Sequence, residues 1–175
     1  MNFDVWVDSD SVPVNLRLII LKAVSRLSLS CTFVADRALA DVKRFIADDT
    51  CLIRRKALEA GMAEASEIRR FRSKINMKVV ETGTDSADNY IVENACEKSL
   101  CITHDIPLAA RLLEKGCTVI DDRGSEYTDS DIKVRLGDRL VNQELRSWGV
   151  YAMQQSKMGK ENRKAFADSL DRTLT

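Results

Sequence analysis

An α/β protein built on a mostly parallel central sheet with helical crossovers is the fold class this sequence predicts. The first observation behind it is an alternation of short apolar runs with segments of helical periodicity, the pattern of repeated β-α-β units. The second is that several of those apolar runs end directly in acids, as strands do when they deliver polar groups to one edge of a sheet. The third is bulk: 175 residues, 45% of them hydrophobic, suffice for one domain whose core needs no disulfide or structural metal.

The elements follow in order. Residues 3–7 alternate as a first strand, and Pro13 suits the opening turn of a helix carrying Leu16, Ile19, Ile20, Ala23, Val24 and Leu27. Residues 31–35 read as the second strand. Residues 39–75 break the rhythm: they are rich in Ala, Glu and Arg, largely helical in pattern, with a short candidate strand at Cys51-Leu52-Ile53. Then come a strand at 77–80, a helix at 87–98, a strand at 100–103, a helix at 107–114 stopped by Gly116, and a strand at 117–120. Thr128-Asp129-Ser130-Asp131 is a capping start for a helix running toward Trp148. Residues 1–150 are expected to form the α/β domain. Residues 151–175 are expected to form a tail with a short amphipathic helix that includes Ala165, Phe166, Ser169 and Leu170.

The 27 basic and 27 acidic side chains cancel, which excludes a uniformly basic nucleic-acid binder. Neutrality hides segregation. Residues 54–74 carry seven basic groups against three acids, a net of +4, and residues 157–172 carry five against three, leaving −6 for the remainder. Both basic segments are candidates for holding a nucleic-acid backbone beside an acidic rim, and solvated helix faces are the alternative. The five cysteines form no CxxC pair, and with His104 the only histidine a zinc site is not expected. The first ten residues, MNFDVWVDSD, do not resemble a signal peptide, and no apolar run approaches spanning length. A cytoplasmic protein without membrane contact is expected.

Four acidic groups carry the chemistry. Asp8 and Asp10 follow the first strand; Asp85 and Asp88 open a helix; Asp105 follows the strand ending at Thr103; Asp121-Asp122-Arg123-Gly124 follows the last strand. Capping and turn roles are available for Asp8, Asp10, Asp85 and Asp105 taken singly. Asp88 precedes Ile91, Val92 and Ala95 by three, four and seven residues, so it lies on or beside the helical stripe that faces the sheet, where an acid is costly unless paired or bound to metal. Carboxylates converging from several strand ends repel one another, and a divalent cation is the usual physical reason for such a set. Oxygen ligands select Mg²⁺ or Mn²⁺ over zinc.

The strings Val7-Asp8-Ser9-Asp10-Ser11-Val12-Pro13, Thr103-His104-Asp105-Ile106-Pro107-Leu108-Ala109, Arg123-Gly124-Ser125-Glu126-Tyr127-Thr128 and Lys164-Ala165-Phe166-Ala167-Asp168-Ser169-Leu170-Asp171-Arg172 resemble the YaiI/YqxD family of bacterial proteins. More widely, an Asp after strand one, an Asp opening an Asp-x-x-Ile-x-x-x-Ala helix and a Thr-x-Asp after the next strand resemble PIN-like domains. Asp8, Asp88 and Asp105 match those positions. The resemblance implies a three-layer sandwich and Mg²⁺- or Mn²⁺-dependent ribonuclease activity, with Asp8, Asp88 and Asp105 as catalytic metal ligands. PIN nucleases add a glutamate from a middle helix. Here Glu59, Glu64 and Glu67 have no spacing that selects one, and Asp10 and Asp85 are taken as its replacements. Beside that resemblance residues 39–75 look like a basic helical insertion. Arg123 is assigned to substrate phosphate, with Gly124 allowing close backbone approach; a salt bridge and a plain turn are the respective alternatives. RNA is the expected partner, and self-association is left open. A non-catalytic binding module and a small-molecule phosphatase are the competing functions.

Overall fold

The computed structural model describes residues 4–62, 64, 66–83, 85–148 and 159–175, the side chains of 142 and 143 excepted. Phe3, Thr84 and the polar residues 154–158 lie outside the described residues, as does the boundary expected near residue 150. The elements are β1 (Asp4–Asp8), α1 (Val14–Arg26), β2 (Ser30–Ala35), α2 (Ala40–Glu59), a 3₁₀ turn (Ile68–Arg70), β3 (Ile75–Val79), α3 (Ser86–Asn94), β4 (Leu100–Ile102), α4 (Ile106–Glu114), β5 (Thr118–Ile120), α5 (Asp129–Ser147) and α6 (Lys160–Leu174). The strands pair in parallel throughout, in the order β3-β2-β1-β4-β5.

Period-two alternation sorts the strand side chains onto two faces. Val5 and Val7 of β1, Cys31, Phe33 and Ala35 of β2, Leu100 and Ile102 of β4 and Ile120 of β5 meet Leu16, Ile20 and Val24 of α1, Val42 of α2 and Phe166 and Leu170 of α6. On the opposite face Trp6, Val34, Cys101 and Val119 meet Ile91 of α3, Leu108 and Leu112 of α4 and Ile132 of α5. Helices therefore cover both faces, which is the three-layer arrangement a parallel sheet requires. The amphipathic tail helix is part of this core, since Phe166 and Leu170 are buried in it and Arg26 of α1 pairs with Asp171 at 2.7 Å.

Two sequence expectations are corrected. Cys51-Leu52-Ile53 forms no strand but lies inside the single helix α2. The buried positions of α2, Val42, Asp49 and Ala57, recur at seven and eight residues, so one helical stripe meets the core while Cys51 and Leu52 stay exposed. The helix expected at 87–98 stops at Asn94, where Ala95 turns extended and Lys98 adopts φ +74°. Among the cysteines, Cys31, Cys101 and Cys117 behave as buried hydrophobes, whereas Cys51 and Cys96 are exposed thiols.

Candidate functional site

β2 and β3 extend the sheet from one side of β1, and β4 and β5 from the other. The carboxyl ends of β1 and β4 thus flank the topological switch point, where open parallel sheets form a crevice. A cavity of about 340 Å³ opens there, and its lining includes six carboxylates: Asp8, Asp10, Asp36, Asp85, Asp88 and Asp105.

Asp8 ends β1 and is only 5% exposed. The Thr103 hydroxyl, fully buried just beyond β4, donates to Asp8 Oδ2 at 2.7 Å and accepts from the Asp105 amide at 2.9 Å. One hydroxyl therefore ties two strand ends together. Ser11 reinforces the junction, accepting from the His104 amide at 3.0 Å and donating to the Asp8 carbonyl at 3.2 Å. Burial pushes the Asp8 carboxyl above its ordinary 3.8, opposed by the hydrogen bonds from Thr103 and Ser11 and aided by Asp10. Replacing Thr103 with Val leaves Asp8 buried without its strongest donor. The expected outcome is a loss of about 1–3 kcal/mol in stability, read by thermal unfolding, with a further upward move of Asp8 in a carboxyl NMR titration. An unchanged Asp8 titration would show that the hydroxyl does not position this group.

Asp105 does cap its helix, its Oδ1 accepting from the Leu108 amide at 2.9 Å, while Oδ2 stands 3.9 Å from an Arg139 guanidinium nitrogen. Asp85 does not: it occupies the N-cap position of α3 with φ +59°, and its side chain makes no capping bond. A non-glycine residue held left-handed costs about 1 kcal/mol or more. Here the conformation brings Asp85 to the cavity lining, one turn ahead of Asp88. Asp88 shows the convergence electrostatically. Burial first, then the charges of Asp8, Asp105 and Asp85, push it up to about 6, with Arg111 acting the other way. Asp10 is exposed and accepts from the Asp36 amide at 3.2 Å.

The structure thus brings Asp8, Asp10, Asp85, Asp88 and Asp105 to one cavity and adds Asp36, which the sequence reading missed. The available signal was its place directly after β2, at the same sheet edge. Arg123 and Gly124 are not among the cavity-lining residues. They belong to the loop after β5, which is built around buried Asp121, whose Oδ1 accepts from the amides of Arg123 and Ser125 at 2.9 and 2.7 Å. Gly124 has φ +84°, and a Cβ there would lie 2.8 Å from Phe166 Cα, so the closely approaching group is α6. His104 pairs with Asp122 at 2.9 Å rather than with a cavity acid, and that hydrogen bond raises its pKa. Glu59 and Glu67 pair with Arg55 and Arg70 on the surface.

The basic segment at 54–74 does not flank the acidic rim. Arg54 donates to the Phe71 carbonyl at 3.0 Å, and Lys74 to that of Ser28 at 3.0 Å, both just ahead of the strands β3 and β2. That is the amino edge of the sheet, opposite the cavity.

The donor set suits a hard divalent cation, being all oxygen and open to water. Among the described residues no three His, Cys, Asp or Glu side chains already stand as a group that could hold a metal ion. Mg²⁺ is commonly held by one or two carboxylates together with waters and substrate phosphate, a mode that needs no such ready chelate.

A family model described as "Uncharacterized BCR, YaiI/YqxD family" matches residues 41–175. The chain belongs to that family. UPF0178 proteins extend the likeness through the Asp8 segment. That of Marinomonas sp. (strain MWYL1) is 35% identical over 169 residues, covering 97% of this chain and 95% of its own. Those of Psychromonas ingrahamii and Trichlorobacter lovleyi are 35% and 36% identical, covering 97% and 98% of this chain and 94% and 93% of theirs. Relatives of matching length, aligned almost end to end, make YaiI/YqxD membership a property of the whole chain. No solved structure matches it significantly. Among the described residues no helix of this YaiI/YqxD member is long and apolar enough to cross a membrane.

Proposed function

We propose that this YaiI/YqxD member is a cytoplasmic Mg²⁺- or Mn²⁺-dependent nuclease of PIN-like type that hydrolyses phosphodiester bonds in RNA. The observation that supports it most is the mutual repulsion in the cavity: Asp8, Asp85 and Asp105 all act to raise Asp88. Holding like charges together is costly without a counter-ion, and the fold incurs that cost at the sheet edge where ligands bind. When bound, such a cation supplies charge neutralisation at the phosphoryl group and a more acidic water. The chain's own part is to hold Asp8 and Asp105 in register through Thr103, and to present Asp85 from the N-cap and Asp88 from the first turn of α3. Asp10 and Asp36 extend the negative field toward solvent.

The test is incubation of the purified protein with single-stranded RNA and Mn²⁺. Wild type cuts, EDTA stops it, and Asp105→Asn reduces cutting to background. Equal trace activity in wild type and variant would assign the signal to contamination and remove the nuclease reading. Binding of RNA without cleavage would instead favour a non-catalytic module.

A further inference from the structure

Six carboxylates repel a polyanion, a repulsion that fixed positive charge nearby would offset, and the basic segment at 54–74 stands at the other edge of the sheet. Cations on the cavity side come from other elements: Arg111 of α4, which acts on Asp88, and Arg139 of α5, with Arg135 one turn before it. Arg135 and Arg139 lie four residues apart on α5, hence on one side of it, about 6 Å apart along its axis. Arg139 stands 3.9 Å from Asp105 Oδ2, at the cavity wall. Arg135 stands 3.8 Å from Asp121 Oδ2, and its guanidinium sits 4.8 Å over the Tyr127 ring, which holds the planar group in a set orientation.

We propose that Arg135 and Arg139 are the pair that holds backbone phosphates of single-stranded RNA at the mouth of the cavity, an assignment that rests on the nuclease reading above. Both arginine side chains keep solvent-facing area, 39% and 54% exposed, and each stands 3.8–3.9 Å from its acid partner, so neither is fully taken up by it. A guanidinium offers forked donors that fit phosphate oxygens in pairs. The contact to Asp105 also couples the two halves of the site: a carboxylate neutralised by a cation attracts Arg139 less, and its donors turn to phosphate. Arg135 is the fixed member, stacked on Tyr127, and Arg139 the one that changes partner.

The experiment is fluorescence anisotropy of a labelled oligouridine with the full chain, in EDTA and again with Ca²⁺ as the neutralising ion. The double variant Arg135→Ala/Arg139→Ala is compared with Arg55→Ala/Arg70→Ala, which removes the same charge from exposed positions at the far edge. The α5 variant is expected to bind about tenfold more weakly and to flatten the log affinity against log salt slope by about 1.4, at about 0.7 per lost contact on a single strand. The far-edge variant should change affinity less than about twofold. Arg139→Lys, which keeps the charge and loses the fork, should fall between. Equal weakening by both double variants, no weakening by the α5 pair, or no binding by wild type in either buffer overturns the assignment. Failure of the nuclease reading shows separately, as absent Mn²⁺-dependent cleavage. Intact cleavage with unaltered binding in the α5 variant would overturn this proposal alone.

Discussion

Phe166→Ala is expected to cost about 3–5 kcal/mol of stability, a large share of the 5–15 kcal/mol typical of a domain. Phe166 is fully buried, among the bulkiest side chains of the core, and comes from a helix that joins the sheet only at the end of the chain. Removing it leaves a cavity between α6 and the layer that Leu16, Ile20 and Ile120 share with it. For a chain of this length the melting temperature should fall by about 10 °C. Gly124→Ala should act on the same contact from the other side. Its φ of +84° suits glycine, and an added Cβ would meet Phe166 Cα at 2.8 Å and the Ala165 carbonyl at 2.9 Å, both backbone atoms that cannot step aside. Phe166→Ala removes only the side chain and leaves that backbone in place, so the double variant should lose about the sum of the singles. Phe166→Leu, which keeps most of the volume, should remain folded and lose about 1–2 kcal/mol. If both Phe166 variants melt with wild type, α6 is not part of the core, and the 121–125 loop is held by Asp121 alone.

That dependence on α6 was visible in the chain only as an amphipathic spacing of Phe166 and Leu170. Where the stripe would dock was not, because docking depends on which strand edge lies free after β5. The strands themselves were readable since Val5, Val7, Phe33 and Ile102 recur with period two in a buried parallel sheet. Asp8 and Asp105 were readable for a related reason: a residue at the end of such a strand, or a few places past it, has little choice but the sheet edge. Cys51-Leu52-Ile53 was misread because a short apolar run does not distinguish strand from helix, and no glycine or proline bounded it. The basic segment was misplaced by length. A helix of 20 residues spans about 30 Å, so α2 carries the chain from the carboxyl edge, where Asp41 meets Arg17, to the amino edge before Arg54 is reached. Asp36 follows the same rule as Asp8, but no second acid or motif marked it. Arg139 comes to the cavity-lining Asp105, and Arg135 to Asp121, only through the packing of α5 on α4, a tertiary fact with no local signature.

The acids of the cavity are expected to oppose folding, and Asp88→Asn should therefore stabilise the protein while abolishing cleavage. The sign follows from linkage. An acid raised from 3.8 to about 6 in the fold binds its proton more tightly there than in the unfolded chain. Stability is therefore greatest below the unfolded value and is lost as pH rises through the folded one. In a group sealed from water that displacement would amount to about 3 kcal/mol. Asp88 is half-buried, and solvent screening reduces the expected penalty to about 1 kcal/mol. Asp88→Asn should accordingly melt a few degrees above wild type at about pH 7.5, with the gain gone below about pH 4, where both forms are neutral. A divalent cation should close the same gap from the other direction. Mn²⁺ binding to the folded state alone raises the wild-type melting temperature by mass action, and it should raise that of Asp88→Asn less, since one of the repelling charges is gone. Asp8 is raised by burial in the same sense, so Asp8→Asn should share the pH profile. Its gain is offset in part, because an amide replaces the oxygen that accepts from Thr103. Stabilising variants that remove activity would mark these carboxylates as held in place for chemistry at the expense of the fold. A destabilised Asp88→Asn at neutral pH, or a melting temperature indifferent to Mn²⁺, would mean that the cluster is internally compensated and has no cation to wait for.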